Sequence, residues 1–275
     1  MKKLLLFLLL SIFSLSFFAQ KKEKIKGDKN VTTVMKNIEM DFNAIEISDE
    51  FKVKLIKSIE NSYTLTTDKN LQDFIQFTVI GGLLKIYSTS NIVSSKKLDI
   101  TLNFKNLEDI SLREKAELKG ENSFESNNIN INAQNSSKFD LEVRAKQATI
   151  TMQNDAKGKL NLRSDKTAIV MTDKTNLNVS LNSDVTTASL SKSAKLELDG
   201  NSDKVAFTTS DSADLDAKKM KVSSAEVSTS GNSELHIDAK KNLDLQAKDK
   251  SKIFVYSEPK IDIKQFVDRA EIIKR

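Results

Sequence analysis

One five-residue pattern (small, polar, apolar, polar, apolar) recurs through the second half of this chain, and a recurrence of that kind is compatible with few folds. It reads Ser137-Lys138-Phe139-Asp140-Leu141, Gly158-Lys159-Leu160-Asn161-Leu162, Thr175-Asn176-Leu177-Asn178-Val179 and Ala194-Lys195-Leu196-Glu197-Leu198. It continues as Ala213-Asp214-Leu215-Asp216-Ala217, Ser233-Glu234-Leu235-His236-Ile237 and Ser251-Lys252-Ile253-Phe254-Val255. The middle residues 139, 160, 177, 196, 215, 235 and 253 are spaced 21, 17, 19, 19, 20 and 18 apart, about 19 on average, a repeat period. A second short apolar run lies between successive copies, as in Ala148-Thr149-Ile150, Val205-Ala206-Phe207 and Leu243-Asp244-Leu245. Each repeat is therefore two short strands and two turns.

A two-strand unit of this length cannot bury its apolar face alone, whereas stacked copies supply one another's missing neighbours. The fold class expected is all-β: a parallel β-solenoid over 107–275, preceded by an antiparallel, hairpin-rich section over 31–106 that caps one end. Position 137 and its equivalents form a column of small residues suited to a tight corner. Positions equivalent to 138 and 140 are nearly all polar, which strand alternation places on the solvent face. Asn135, Asp173, Asp211 and Asp249 stand just before corners, suited to local side-chain bonds to the turn backbone. A β-sandwich or barrel is the alternative architecture.

Met1-Lys2-Lys3, the apolar run Leu4 to Phe18 and the exit Ala19-Gln20 have the layout of a secretory signal peptide over 1–19. The apolar run is shorter than the roughly 20 residues of a spanning helix, so no transmembrane segment is expected in the mature chain. Residues 20–30 are charged and read as a flexible leader. Within 31–106, strand-like runs occur at 43–47, 51–56, 62–66, 76–80, 83–87 and 98–104, with Gly81-Gly82 as a hairpin turn. Asp68 to Ile75 reads as a helical turn, with Asp68 as cap and Leu71, Phe74 and Ile75 facing inward.

Removing Lys2 and Lys3 lowers the formal charge from +5 to +3. Lysines mostly alternate with Asp and Glu rather than clustering with aromatics, which argues against a nucleic-acid partner. The chain contains no cysteine, hence no disulfide, thiolate metal site or thiol nucleophile. Its one histidine, His236, falls on an outward position and reads as a solvated strand residue without an orienting partner. No phosphate loop, metalloprotease motif or calcium nonapeptide is present. Catalytic, cofactor and metal residues are therefore expected to be none, and no cofactor is expected. Asp211, Asp214 and Asp216 could build the carboxylate columns of a polysaccharide-cleaving β-helix, but uniform coils lack the long loops that wall a cleft. Outward Thr and Ser around Thr208, Thr209, Ser228 and Thr229 could form a flat binding face.

The runs Phe42-Asn43-Ala44-Ile45-Glu46-Ile47, Phe51-Lys52-Val53-Lys54-Leu55, Asp68-Lys69-Asn70-Leu71, Leu83-Leu84-Lys85-Ile86-Tyr87 and Leu98-Asp99-Ile100-Thr101, followed by the small corners and the ending Ser251 to Ile261, resemble the head GIN domain family of "putative autotransporter adhesins" found in secreted Bacteroidetes proteins. The chain departs from that family in having few Ser-Gly-Ala-Gly corners, Ser230-Gly231-Asn232-Ser233 being the nearest. Corners built on Ser, Ala and Asp permit left-handed backbone less readily than Gly. The resemblance implies an exported, solenoid-like domain and, weakly, adhesion; it carries no catalytic residues. The function expected is a non-enzymatic, exported module of the periplasm, outer surface or medium that binds a glycan or protein of the cell envelope. A glycan-active β-helix enzyme and a purely structural envelope protein are the alternatives.

Overall fold

The computed structural model describes residues 22–275, so the signal peptide read over 1–19 lies outside the described residues. It is a parallel β-solenoid of about nine turns of roughly 19 residues, with antiparallel strands near the amino end. Each turn offers one strand segment to each of two sheets. In the central strands β13 (Lys138–Met152), β14 (Lys157–Met171), β15 (Asn176–Leu190), β16 (Lys195–Thr209) and β17 (Asp214–Thr229), one continuous strand serves both. Burial alternates along each strand, and two successive exposed residues, such as Lys146-Gln147 and Asp165-Lys166, mark where it bends from one sheet to the other. The inward residues of both sheets meet in one core.

The pairing register corrects the sequence alignment at one repeat. Phe139 lies opposite Gly158 and Leu141 opposite Leu160, so Ser137 corresponds to Ala156 and not to Gly158. Phe139 is then followed in its inward row by Gly158, Leu177, Leu196 and Leu215, a regular step of 19. Gly158 is no corner residue. A Cβ there would stand 2.3 Å from Cζ of Phe139 and 2.7 Å from Cδ1 of Leu177, because the phenyl ring fills the space a side chain would occupy. The true corner column, from Ala116 and Ser137 through Ala156, Thr175, Ala194 and Ala213 to Ser233 and Ser251, is buried throughout.

The turns before that column are left-handed without glycine. Asn154, Asp173, Lys192, Asp211, Asp249 and Asp268 all have φ near +60°, and Gly231 takes the place once. Asn and Asp tolerate this region better than other residues with a Cβ. Their side chains do not make the local bonds expected of them. Instead, the carboxylates of Asp173, Asp211, Asp249 and Asp268 accept the backbone N–H of the preceding coil's corner, from Asn154, Lys192, Gly231 and Asp249, at 2.9–3.2 Å. This is a ladder running along the solenoid axis.

The first section departs most from its sequence reading. Strands β3 (Ala44–Ile47) and β4 (Lys52–Lys57) are coil segments themselves, paired in parallel with β10 (Asp109–Leu112) and β11 (Glu117–Gly120). On their other side they pair, again in parallel, with β7 (Leu83–Ser88) and β9 (Leu98–Phe104). The parallel stack thus begins before residue 107, and its coils are out of sequence order: 44–57 lies between 83–104 and 109–120. Antiparallel capping is confined to β6 (Ile75–Ile80), hairpinned to β7 at Gly81-Gly82, and to β5 (Ser62–Asp68) and β2 (Val31–Asn37) beyond β9.

The helical turn is a 3-10 helix over Lys69–Phe74, with Leu71 buried; Asp68 stands at its N-cap as expected, but its side chain makes no capping hydrogen bond. Its Oδ2 instead accepts the N–H of Lys96 at 2.7 Å. The leader read over 20–30 contains strand β1 (Lys24–Lys26), paired in parallel with β8 (Asn91–Ser94). Asn70 clasps it, donating to Lys26 O at 2.8 Å and accepting from the Asp28 N–H at 2.9 Å. Charge had argued for a loose segment, yet backbone pairing does not depend on side-chain charge.

Candidate functional site

Two outward surfaces differ in chemistry because outward columns repeat along each sheet. The sheet formed by the second half of each repeat carries short, mostly uncharged side chains over its central coils. Thr149, Ala168, Thr187 and Ala206 follow one another in register, and beside them run Thr151, Val170, Ser189 and Thr208. With strands roughly 4.8 Å apart, four coils give a strip about 15 Å long. Val170 is 48% exposed, and Ala206 and Thr208 also face solvent.

Thr208 and Ser228 lie on this sheet as expected, in register and directed outward. Thr209 and Thr229 do not; they are 0% and 1% exposed. Consecutive residues of a strand point to opposite faces, so these threonines had to go inside. There Thr209 Oγ1 donates to Ser233 Oγ at 3.0 Å and Thr229 Oγ1 to Ser251 Oγ at 2.9 Å, which satisfies both hydroxyls within the core.

The opposite sheet is charged. Near its carboxyl end His236 is half-buried rather than freely solvated. Its ring stacks on Phe254, centroids 4.3 Å apart and planes 8° from parallel, and Nδ1 lies 3.0 Å from the Tyr256 hydroxyl. The repeat alignment already placed Phe254 in the outward row next to His236, so an aromatic at a polar position was the signal that could have revealed this contact. Asp216 lies beside His236 in register and Asp214 beside Glu234. Asp211 stands apart, at its corner. These carboxylates are thus split between corner and face, and no common cleft gathers them.

Burial alone would push Asp216 upward, but hydrogen bonds from Lys218 outweigh it and hold its carboxyl below the ordinary range. Burial pushes Asp214 up, with Lys195 and His236 only partly offsetting it. A raised carboxylate makes the native state bind more protons than the unfolded chain, so its contribution is present below the ordinary value of 3.8 and is lost as pH rises through the higher native value. Asp214→Asn is therefore expected to melt above the parent near neutral pH, with the gain vanishing below pH 3.8; thermal melts at the two pH values check this.

Among the described residues no group of three His, Cys, Asp or Glu side chains is placed to hold a metal ion. No described helix is long and apolar enough to cross a membrane.

A family model described as "Putative auto-transporter adhesin, head GIN domain" matches residues 41–161 and again 154–259. A double match is what a stack of similar coils produces. No curated protein matches the sequence. Among solved structures, a "putative adhesin" from Parabacteroides merdae superposes with TM-score 0.71 at 16% identity, covering 92% of this chain and 99% of that one. A "putative adhesin" from Parabacteroides distasonis gives 0.68 at 16%, covering 92% and 100%. A "putative lipid binding protein" from the same species gives 0.64 at 20%, with the same coverage. At these identities the likeness is one of fold.

Proposed function

Since the chain belongs to the family described as "Putative auto-transporter adhesin, head GIN domain", we propose that it is an exported, non-enzymatic binding module that holds a glycan of the cell envelope or surface on its uncharged sheet. The observation that carries this reading is the strip of short side chains from Thr149 and Thr151 to Ala206 and Thr208. A flat strip of hydroxyls and methyls at a constant strand spacing suits an extended, repetitive ligand, which can meet the same group on each coil. Small side chains lose little rotamer freedom when covered, and a chain lying flat can gain many weak contacts at once. The described interior is filled by packed side chains, so the lipid binding ascribed to one structural neighbour would have to occur on the surface here.

Glycan arrays and isolated envelope fractions, probed with the full chain, test the reading. Charging the strip by Ala206→Lys or Thr187→Lys is expected to weaken binding at least about tenfold and to leave the melting midpoint in place. Asn178→Lys, on the opposite sheet, is expected to change neither. Binding that ignores the strip variants, or no binding to any glycan, would sink the proposal.

A further inference from the structure

Lysine supplies nearly all the positive charge of this chain: of 43 basic residues only five are arginine. Two of the five, Arg144 and Arg163, face outward on neighbouring coils, opposite each other in the register of β13 and β14. They stand one strand spacing apart, about 4.8 Å, and like charges placed directly opposite destabilise a strand pair. Arg144 has the Glu125 carboxylate at 3.7 Å, with both side chains more than half exposed, a contact worth little. Among the described residues Arg163 forms no ion pair. By contrast, Arg113 pairs with Glu46 at 3.3 Å and Arg275 lies over the Phe254 ring, 5.5 Å from its centroid. Both outward arginines line an open groove of about 890 Å³ that follows the bend between the two sheets from Glu108 to Asp184. Across that bend, Thr149 on β13 and Ala168 on β14 belong to the uncharged strip, so a polymer lying on the strip along the solenoid axis runs beside the two guanidiniums.

A guanidinium keeps its charge at every physiological pH and offers a rigid fork of donors that fits a carboxylate with two parallel N–H···O bonds, which a lysine cannot do. We propose that Arg144 and Arg163 form a carboxylate-reading pair, and that the glycan held by the adjacent strip is one built from uronic acids; this rests on the glycan reading of that strip. A carboxylate set between the two guanidiniums answers both charges and relieves their repulsion. The surroundings select against denser polyanions. Glu125 lies beside Arg144 in register, Glu142 two residues before Arg144 and Asp165 two residues after Arg163. These acids deny the groove the broad positive field that gathers nucleic acids or heavily sulfated polymers, and leave it suited to single carboxylates carried along a sugar backbone.

Titration calorimetry of the full chain against oligogalacturonate and against its methyl ester tests the proposal, because the ester keeps the backbone and hydroxyls and loses only the charge. The free acid is expected to bind at least about tenfold more tightly than the ester, by a margin that shrinks as salt is added. R144Q/R163Q is expected to abolish that margin while leaving ester binding and the melting midpoint in place, since both side chains are exposed. R144K/R163K keeps the charges without the forks and is expected to recover only part of it. Thr187→Lys, which wedges the backbone off the strip, should weaken acid and ester alike. Equal affinity for acid and ester, a margin that survives R144Q/R163Q or returns in full with lysine, or dextran sulfate bound as tightly as oligogalacturonate would each overturn the proposal and leave the glycan reading standing. Binding of neither oligomer would overturn it too, and the glycan reading falls with it only if the glycan arrays are blank as well.

Discussion

Leu196→Asp is expected to destabilise the protein by about 5 kcal/mol, a loss comparable with the roughly 5–15 kcal/mol that keeps a typical domain folded. Leu196 is 2% exposed and lies between Leu177 and Leu215, both fully buried, on the neighbouring coils. The substitution removes a leucine from an apolar row and leaves a carboxylate without a cation in reach of it. A solenoid coil contacts only its neighbours, so the stack should part at this coil first. Urea unfolding followed by circular dichroism should show an earlier and broader transition than in the parent. The adjacent Glu197→Lys is the control. Glu197 pairs with Lys219 at 3.4 Å with both side chains at least half exposed, and losing an exposed pair of that kind costs well under about 1 kcal/mol. Equal effects at 196 and 197 would contradict the inward and outward assignment of the whole column.

Gly158→Leu is expected to cost about 3 kcal/mol through overpacking, and the cost should depend on Phe139. The phenyl ring of Phe139 already occupies the volume over Gly158, with Leu177 closing the other side. Phe139→Ala alone should cost a similar amount by leaving a cavity. Combining the two puts a large side chain next to the new void, so the double variant should be more stable than the sum of the singles by about 2 kcal/mol. A double-mutant cycle in urea measures this. Strict additivity would mean that Phe139 and Gly158 do not share one space.

The repeat, its class of fold and its inward rows were legible because they rest on local alternation. An apolar residue at every second place, renewed about every 19, describes Leu196 or Leu215 without any knowledge of neighbours. What alternation could not supply was the match between Phe139 and Gly158. A search for a small residue at the corner accepted Gly158, whereas its smallness answers to a ring one coil away. Thr209 and Thr229 misled for a related reason. Their hydroxyls suggested solvent, but parity put them inside, where Ser233 and Ser251 satisfy them. The uncharged strip was partly visible as Thr208 and Ser228. Its continuity through Ala168, Val170 and Ala206 appeared only once the register was known.

The amino-terminal coils mark the boundary between the two kinds of information. Alternation in 43–47, 51–56, 83–87 and 98–104 announced strands, and strands were found over 44–47, 52–57, 83–88 and 98–104. Nothing local could announce that 44–57 slips between 83–104 and 109–120, because that order follows from which coil faces complement each other across 65 residues, as Asp49 N–H to Glu114 and Lys57 N–H to Asn122 do. Strand, face and period belong to the sequence because they depend on near neighbours along the chain. Coil order and the pairing of Phe139 with Gly158 belong to the tertiary structure because each depends on what lies one strand spacing away in space.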